Sequence, residues 1–105
     1  METITRSHDR FEIAVDGDAA GRALFVDRDG RRIFFHTEVG EEYGGQGLAG
    51  RLVGHALDVT REEGLRAVPV CPYVERLARR SGSWADVVDE PSEDERAAVK
   101  GLATS

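Results

Sequence analysis

Two hydrophobic periods divide this chain. Between Phe11 and Val39, apolar and polar residues largely alternate; from Leu48 onward, apolar residues return at every third or fourth position. A period of two marks half-buried strands, and a period near 3.6 marks an amphipathic helix. Phe11-Glu12-Ile13-Ala14-Val15 is the first predicted strand. Ala19–Asp27 is the second, with Ala23 and Phe25 inward and Leu24 and Val26 as further inward candidates. Arg31–Val39 is the third and carries the more continuously apolar Ile33-Phe34-Phe35. Asp16-Gly17-Asp18 and Asp27-Arg28-Asp29-Gly30 are the turns between them, and Asp-Gly favours a hairpin. Three strands joined by short turns make an antiparallel meander.

The helical period begins at Leu48 and takes in Leu52, Val53, Ala56, Leu57 and Val59. Gly64 ends this helix at a position that suits a left-handed residue. Ala67-Val68-Pro69-Val70 is a short fourth strand, and strand–helix–strand order implies a right-handed crossover with parallel pairing. Cys71-Pro72 opens a second helix, Pro72–Arg80, because proline at the first helical position gives up an N–H that has no partner there. Ser81-Gly82-Ser83 breaks it. Ser92 and Glu95 form a capping box, which predicts a short C-terminal helix reaching about Leu102, with a thin apolar face of Ala97, Ala98, Val99 and Leu102. The reading is α+β: a mixed sheet, one domain over residues 1–88, then an acidic tail over 89–105.

Four glycines, Gly40, Gly44, Gly45 and Gly47, fall where the third strand must become the first helix. A helix N-terminus presents unpaired N–H groups and partial positive charge, and glycine lets a ligand approach the backbone. The turn is therefore a candidate pyrophosphate cradle. No Gly-Lys-Ser/Thr follows it, so it is not a P-loop. The preceding meander and the short chain do not suit a doubly wound dinucleotide fold.

Composition narrows the partners. The net charge of −6 over 105 residues argues against nucleic acid, which needs a basic surface. No apolar run approaches a bilayer span, and Met1–Arg10 lacks the apolar segment of a secretory signal. The lone Cys71 cannot form an internal disulfide, and nothing resembles a zinc ligand set. A cytoplasmic setting, without membrane, is the expectation.

Val39–Ala49 resembles motif A of the GNAT acetyltransferase superfamily, Q/R-x-x-G-x-G/A. Gly47 and Ala49 take the last two consensus positions, Gly45-Gln46-Gly47 keeps the central triplet, and Gly44 stands where the motif has Gln or Arg. His36-Thr37-Glu38-Val39, Gly45-x-Gly47-Leu48-Ala49, Leu52-Val53, Ala56-Leu57, Gly64-Leu65 and Pro69-x-Cys71-Pro72-Tyr73-Val74 follow in the order of the minimal GNAT-like family. The resemblance covers roughly residues 11–88. It implies acetyl-CoA as co-substrate, with the pantetheine arm along the strand through Thr37 to Val39. The pyrophosphate would lie on the turn formed by Gly44, Gly45, Gln46, Gly47, Leu48 and Ala49. It also implies an amine acceptor, a small molecule or a protein, whose identity stays open. A monomer or weak homodimer is expected.

Acetyl transfer to an amine needs a deprotonated amine, a polarised carbonyl and a protonated leaving thiolate. Cys71, at a predicted helix N-cap, could instead take the acetyl group first, since a helix N-terminus favours the thiolate. It could equally be a small buried apolar residue. His36 and Glu38 share one strand face, about 6.6–6.8 Å apart along the strand. Either could serve as base, or both could be structural: His36 hydrogen-bonded in the core, Glu38 pinned by an arginine. Tyr73 could protonate the CoA thiolate or merely cap the surface. In larger GNAT enzymes a tyrosine acid lies further along that helix, where Leu77-Ala78 has none. Trp84 reads as core packing, and Arg76, Arg79 and Arg80 either as a basic patch that could meet the adenosine phosphates or, as the default, as a solvated helix face. The alternatives to an N-acetyltransferase are a CoA-binding or partner-binding module without catalysis, and a structural domain whose glycines only shape a turn.

Overall fold

The computed structural model describes residues 1–45 and 47–102. Five strands form one sheet in chain order: β1 (Glu2–Arg6), β2 (Arg10–Val15), β3 (Asp18–Arg28), β4 (Arg31–Val39) and β5 (Arg66–Pro69). The first four pair antiparallel, and β5 joins β4 in parallel. Helix α1 (Leu48–Glu62) makes the crossover; α2 (Pro72–Ser81) and α3 (Glu93–Val99) follow. The meander, the crossover and the capping box at Ser92–Glu95 are as expected. The C-terminal helix stops at Val99, short of Leu102.

Turn chemistry explains the meander. Asp16 and Gly17, and again Asp29 and Gly30, all have positive φ. That is the two-residue geometry whose twist matches antiparallel strands. Gly64, at φ 75°, releases the chain after α1.

β1 is an addition to the elements expected. Its polar sequence shows no apolar alternation, yet Glu2–Arg6 pairs with Val15–Phe11 along its whole length. Side chains, not hydrophobicity, hold its inner face. Glu2 takes two 2.6 Å hydrogen bonds from Arg51, Ile4 packs on the core, and Arg6 pairs with Glu63 and lies 6.0 Å from the Phe11 ring centroid.

The main core lies between the sheet and α1. Phe11, Ile13, Ala23, Phe25 and Phe34 meet Leu48, Leu52, Val53, Ala56 and Leu57, all buried. Each large apolar side chain so buried contributes roughly 1.5–3 kcal/mol. Arg32 sits fully buried in the same layer. Its guanidinium lies 4.4 Å from the Phe25 ring centroid and donates to Asp27 and Glu63. A smaller cluster on the far face joins Ile33 and Val68 to Val99 of α3. That helix is also held by Arg31, which donates to Glu95 and Asp89.

Two register shifts bend the meander, one at Ile13/Ala14 and one at Leu24/Phe25. The second matters for the site. Phe25 pairs with Phe34, but Leu24 pairs with His36, so Phe35 is the extra residue of a bulge. An extra residue reverses which face the following side chains take. Arg32 and Phe34 point toward α1; past the bulge, Thr37 and Val39 take that face, and His36 and Glu38 turn to the other.

Candidate active site

The site lies where β4 and β5 part. Their pairing ends at Phe34 and Pro69, and the Phe34 carbonyl accepts hydrogen bonds from both Val70 N–H and Cys71 N–H at 2.9 Å. From Phe35 to Val39 the β5-facing edge of β4 has no strand beside it among the described residues. A splayed pair of parallel strands thus leaves a backbone edge of β4 open beyond the end of β5.

The glycine turn closes one end of this cleft. After Gly40 comes a single 3-10 turn, Glu41–Tyr43, and Gly44 follows in extended conformation. Gly45 (φ 81°) and Gly47 (φ 73°) are left-handed, a geometry that explains glycine at both positions. Gly47 is the N-cap of α1 and has no side chain to cap it; the first turn carries no acidic residue. The opening N–H groups of α1, around Leu48 and Ala49, keep their capacity to bind an anion. Gln46 lies outside the described residues.

Cys71 is the N-cap of α2, with Pro72 at the first helical position. The residue is only 6% exposed, and its thiol donates to Thr37 Oγ1 at 3.6 Å. This contact bridges the mouth of the cleft from β5's end to β4. Tyr73 projects toward the first turn of α1: a Cβ placed on Gly50 would stand 3.6 Å from its hydroxyl. Val39 packs against the main core, on the side of Thr37.

His36 and Glu38 occupy the opposite face. His36 Nε2 lies 2.9 Å from Glu38 Oε2, and Arg22 Nε donates to Glu38 Oε1 at 2.6 Å. Hydrogen bonding from His36, seconded by Arg22, holds the Glu38 carboxyl below the usual carboxylate range. Both residues are solvent-accessible, so Glu38 is pinned at the surface and His36 is not a core histidine. A groove of about 490 Å³ opens beside Glu38, walled by Glu12, Gly21, Arg22, Glu38, Gly40 and Glu41 among others.

A family model described as GCN5-related N-acetyltransferase matches residues 10–87. The chain belongs to this family. As a GCN5-related N-acetyltransferase it is 35% identical over 80 residues to Protein NATD1 of Bos taurus, covering 70% of this chain and 71% of the relative. It is 34% identical to the Homo sapiens Protein NATD1 over the same shares. The fold of a GCN5-like protein from Staphylococcus aureus, solved by NMR, superposes with a TM-score of 0.68 at 22% identity, over 87% of this chain and 91% of that one. The ribosomal-protein alanine N-acetyltransferase of Escherichia coli superposes at 0.62 and 19% identity, over 74% of this chain and 54% of its own. Members of the GCN5-related family use acetyl-CoA, and the open strand edge beside a glycine-capped helix is compatible with an extended thioester arm ending in phosphates.

Sequence reasoning overlooked two arginines of this acetyltransferase. Arg22 stands in register with Glu38 across the β3–β4 pair. Arg51 reaches back over Gly47, where a Cβ would come within 3.2 Å of its Nη1. Trp84 is half-buried against α1, where Gly54 makes room for the indole, and it donates to Asp58 at 2.8 Å.

Proposed function

We propose that this chain is an acetyl-CoA-dependent N-acetyltransferase acting on a primary amine. The observation that carries the reading is the β4–β5 cleft: an unpaired strand edge, Phe35–Val39, with a glycine-capped helix at one end and a thiol at its mouth. Thr37 and Val39 would align the pantetheine arm by backbone pairing. Gly45, Gly47, Leu48 and Ala49 would hold the pyrophosphate, with Gly44 and Gln46 completing the turn. Acetyl-CoA supplies an activated acyl group whose carbonyl carbon accepts a nucleophile.

Two routes use the residues present. In the direct route, the amine nitrogen attacks the acetyl carbon, the C–S bond breaks, and the CoA thiolate takes a proton. Tyr73, projecting over the first turn of α1, is the donor on the cofactor side. In the covalent route, the Cys71 thiol gives up its proton and attacks first, and CoA leaves as its thiol with that proton. The amine then displaces Cys71 from the new thioester.

A second reading, CoA binding without transfer, is favoured by one observation: β2 and β3 are joined only by the Asp16–Gly17 turn, so no helix is inserted between these strands to hold an acceptor.

Thermal shift with acetyl-CoA and CoA, intact mass after acetyl-CoA exposure, and transfer to ethanolamine, spermidine, lysine ethyl ester and a free-N-terminus peptide separate the cases. An acetyltransferase is stabilised by mass action and acetylates an amine. Stabilisation without transfer leaves a binding module, and no stabilisation defeats both. A 42 Da adduct, about one acetyl group, that is lost in Cys71→Ala together with transfer establishes the covalent route. Transfer retained in Cys71→Ala establishes the direct one.

A further inference from the structure

The Glu38 carboxylate has both oxygens in use, Oε1 by Arg22 and Oε2 by His36. An ionised carboxylate only accepts hydrogen bonds. The hydrogen on His36 therefore resides on Nε2, and the lone pair of the neutral ring resides on Nδ1. Among the described residues, no hydrogen bond is made to that Nδ1. Glu38 is the less suited base: it is already bonded at both oxygens and held ionised.

We propose that His36, through Nδ1, accepts the proton of the incoming amine, and that Arg22 is a positioning residue that acts on it through Glu38. This rests on the acetyltransferase reading above and assigns roles within it. Three strands build the device: Arg22 on β3 faces Glu38 on β4, and Glu12 on β2 faces Arg22. Arg10 lies in the neighbouring row, across Leu24 from His36, and is paired with Asp9. Glu41 borders the groove from the turn after β4. These are the charged groups that surround His36 on this face. The bulge at Phe35 is what turns the imidazole to this face, where it is hydrogen-bonded to Glu38 of the groove wall, rather than into the α1 core.

The proton balance is complete. The substrate ammonium gives one proton to His36 Nδ1, and the freed nitrogen lone pair forms the C–N bond to the acetyl carbon. The C–S bond breaks, Tyr73 protonates the CoA thiolate, and the second amine proton restores the Tyr73 hydroxyl. His36 returns its proton to solvent.

The test uses the whole 105-residue chain and whichever of the four amines above turns over fastest. His36→Gln lowers kcat/KM by about 10²–10⁴ with little change in acetyl-CoA affinity. Arg22→Gln removes a nearby cation, so the acid limb of the kcat/KM profile moves to higher pH. Glu38→Gln removes an anion, so the limb moves to lower pH. Arg22→Lys restores the wild-type limb. Long-range 15N NMR of the free protein finds the Nε2–H tautomer of His36 in wild type and a mixture in Glu38→Gln, whether or not any amine is acetylated. Wild-type transfer with limbs unmoved in both Gln variants, or an Nδ1–H tautomer, overturns this assignment alone. Absence of wild-type transfer overturns the parent reading and this role with it.

Discussion

Glu95→Gln isolates the ion pair that docks α3. Glu95 does two jobs: Oε1 accepts the Ser92 N–H in the capping box at 2.9 Å, and the carboxylate receives Arg31 at 2.5 and 3.1 Å. Glutamine keeps the first through its carbonyl oxygen and loses the charge needed for the second. The Arg31 hydrogen bond is the main cause that holds the Glu95 carboxyl at about 2, against an ordinary 4.5. At about 1.4 kcal/mol for each tenfold change in proton affinity, that gap is worth about 3 kcal/mol. Arg31 keeps 28% of its side-chain exposure, so solvent screening reduces the figure to about 2 kcal/mol. The folded-state value is depressed, so this stability is fully present above 4.5 and is lost as pH falls from 4.5 toward 2. Urea titrations followed by circular dichroism should show the variant less stable by about 2 kcal/mol at pH 7, on the order of 10 °C in Tm. The gap should close between pH 4.5 and pH 2. A gap that persists unchanged at pH 3 would refute the assignment of this stability to a charge pair (about one pH unit above the folded value).

Two further outcomes follow from packing. Arg32→Ala leaves a cavity over Phe25 and removes the ion pairs to Asp27 and Glu63, costing about 2–5 kcal/mol. Arg32→Met refills the space over Phe25 and should recover at least half of that loss; equal losses in urea titrations would show that packing over the ring is not what Arg32 supplies. Gly21→Ala puts a Cβ within 2.9 Å of both the Glu38 carbonyl and Val39 Cγ2, and should cost about 1–3 kcal/mol. The same change should loosen β4 beside the cleft, so amide exchange at Glu38 and Val39 should accelerate; unaltered exchange would show that the strand absorbs the methyl elsewhere.

The parts of this fold that announce themselves in the sequence are those with a local cause. Asp-Gly pairs set the hairpins, the helical period set α1, and Pro72 and Ser92 marked helix starts. The glycine turn was legible because left-handed residues before a helix require glycine. What stayed hidden depends on partners far along the chain. β1 has no apolar alternation because ion pairs to Arg51 and Glu63 hold it. Arg32 reads as a strand-end charge until Phe25, Asp27 and Glu63 assemble around it. Arg22 is the most instructive case. Counting back from the Asp29–Gly30 turn in unbroken register sets Glu38 opposite Gly21. The bulge at Phe35 moves Arg22 there instead, and no sequence signal marked Phe35 as the extra residue. His36 and Glu38 were visible as a pair on one face, but strict alternation from Phe34 would have placed that face against α1.

The rims of the sheet have a consequence for how this protein meets other chains. One outer edge is β1, five residues long and mostly charged or hydroxylated. The other is β5, where Ala67 N–H donates to Val87 O and Asp89 N–H donates back to Ala67 O, and Pro69 has no N–H to offer. Short polar or proline-ended rims discourage strand addition between molecules, the first step toward aggregation. An equally long open run of strand backbone is the inner edge at Phe35–Val39, which the N-cap of α2 meets at Thr37. A gap inside a sheet admits one slender chain and excludes the broad edge of another sheet. The feature that leaves room for a cofactor arm therefore need not make the protein self-associate.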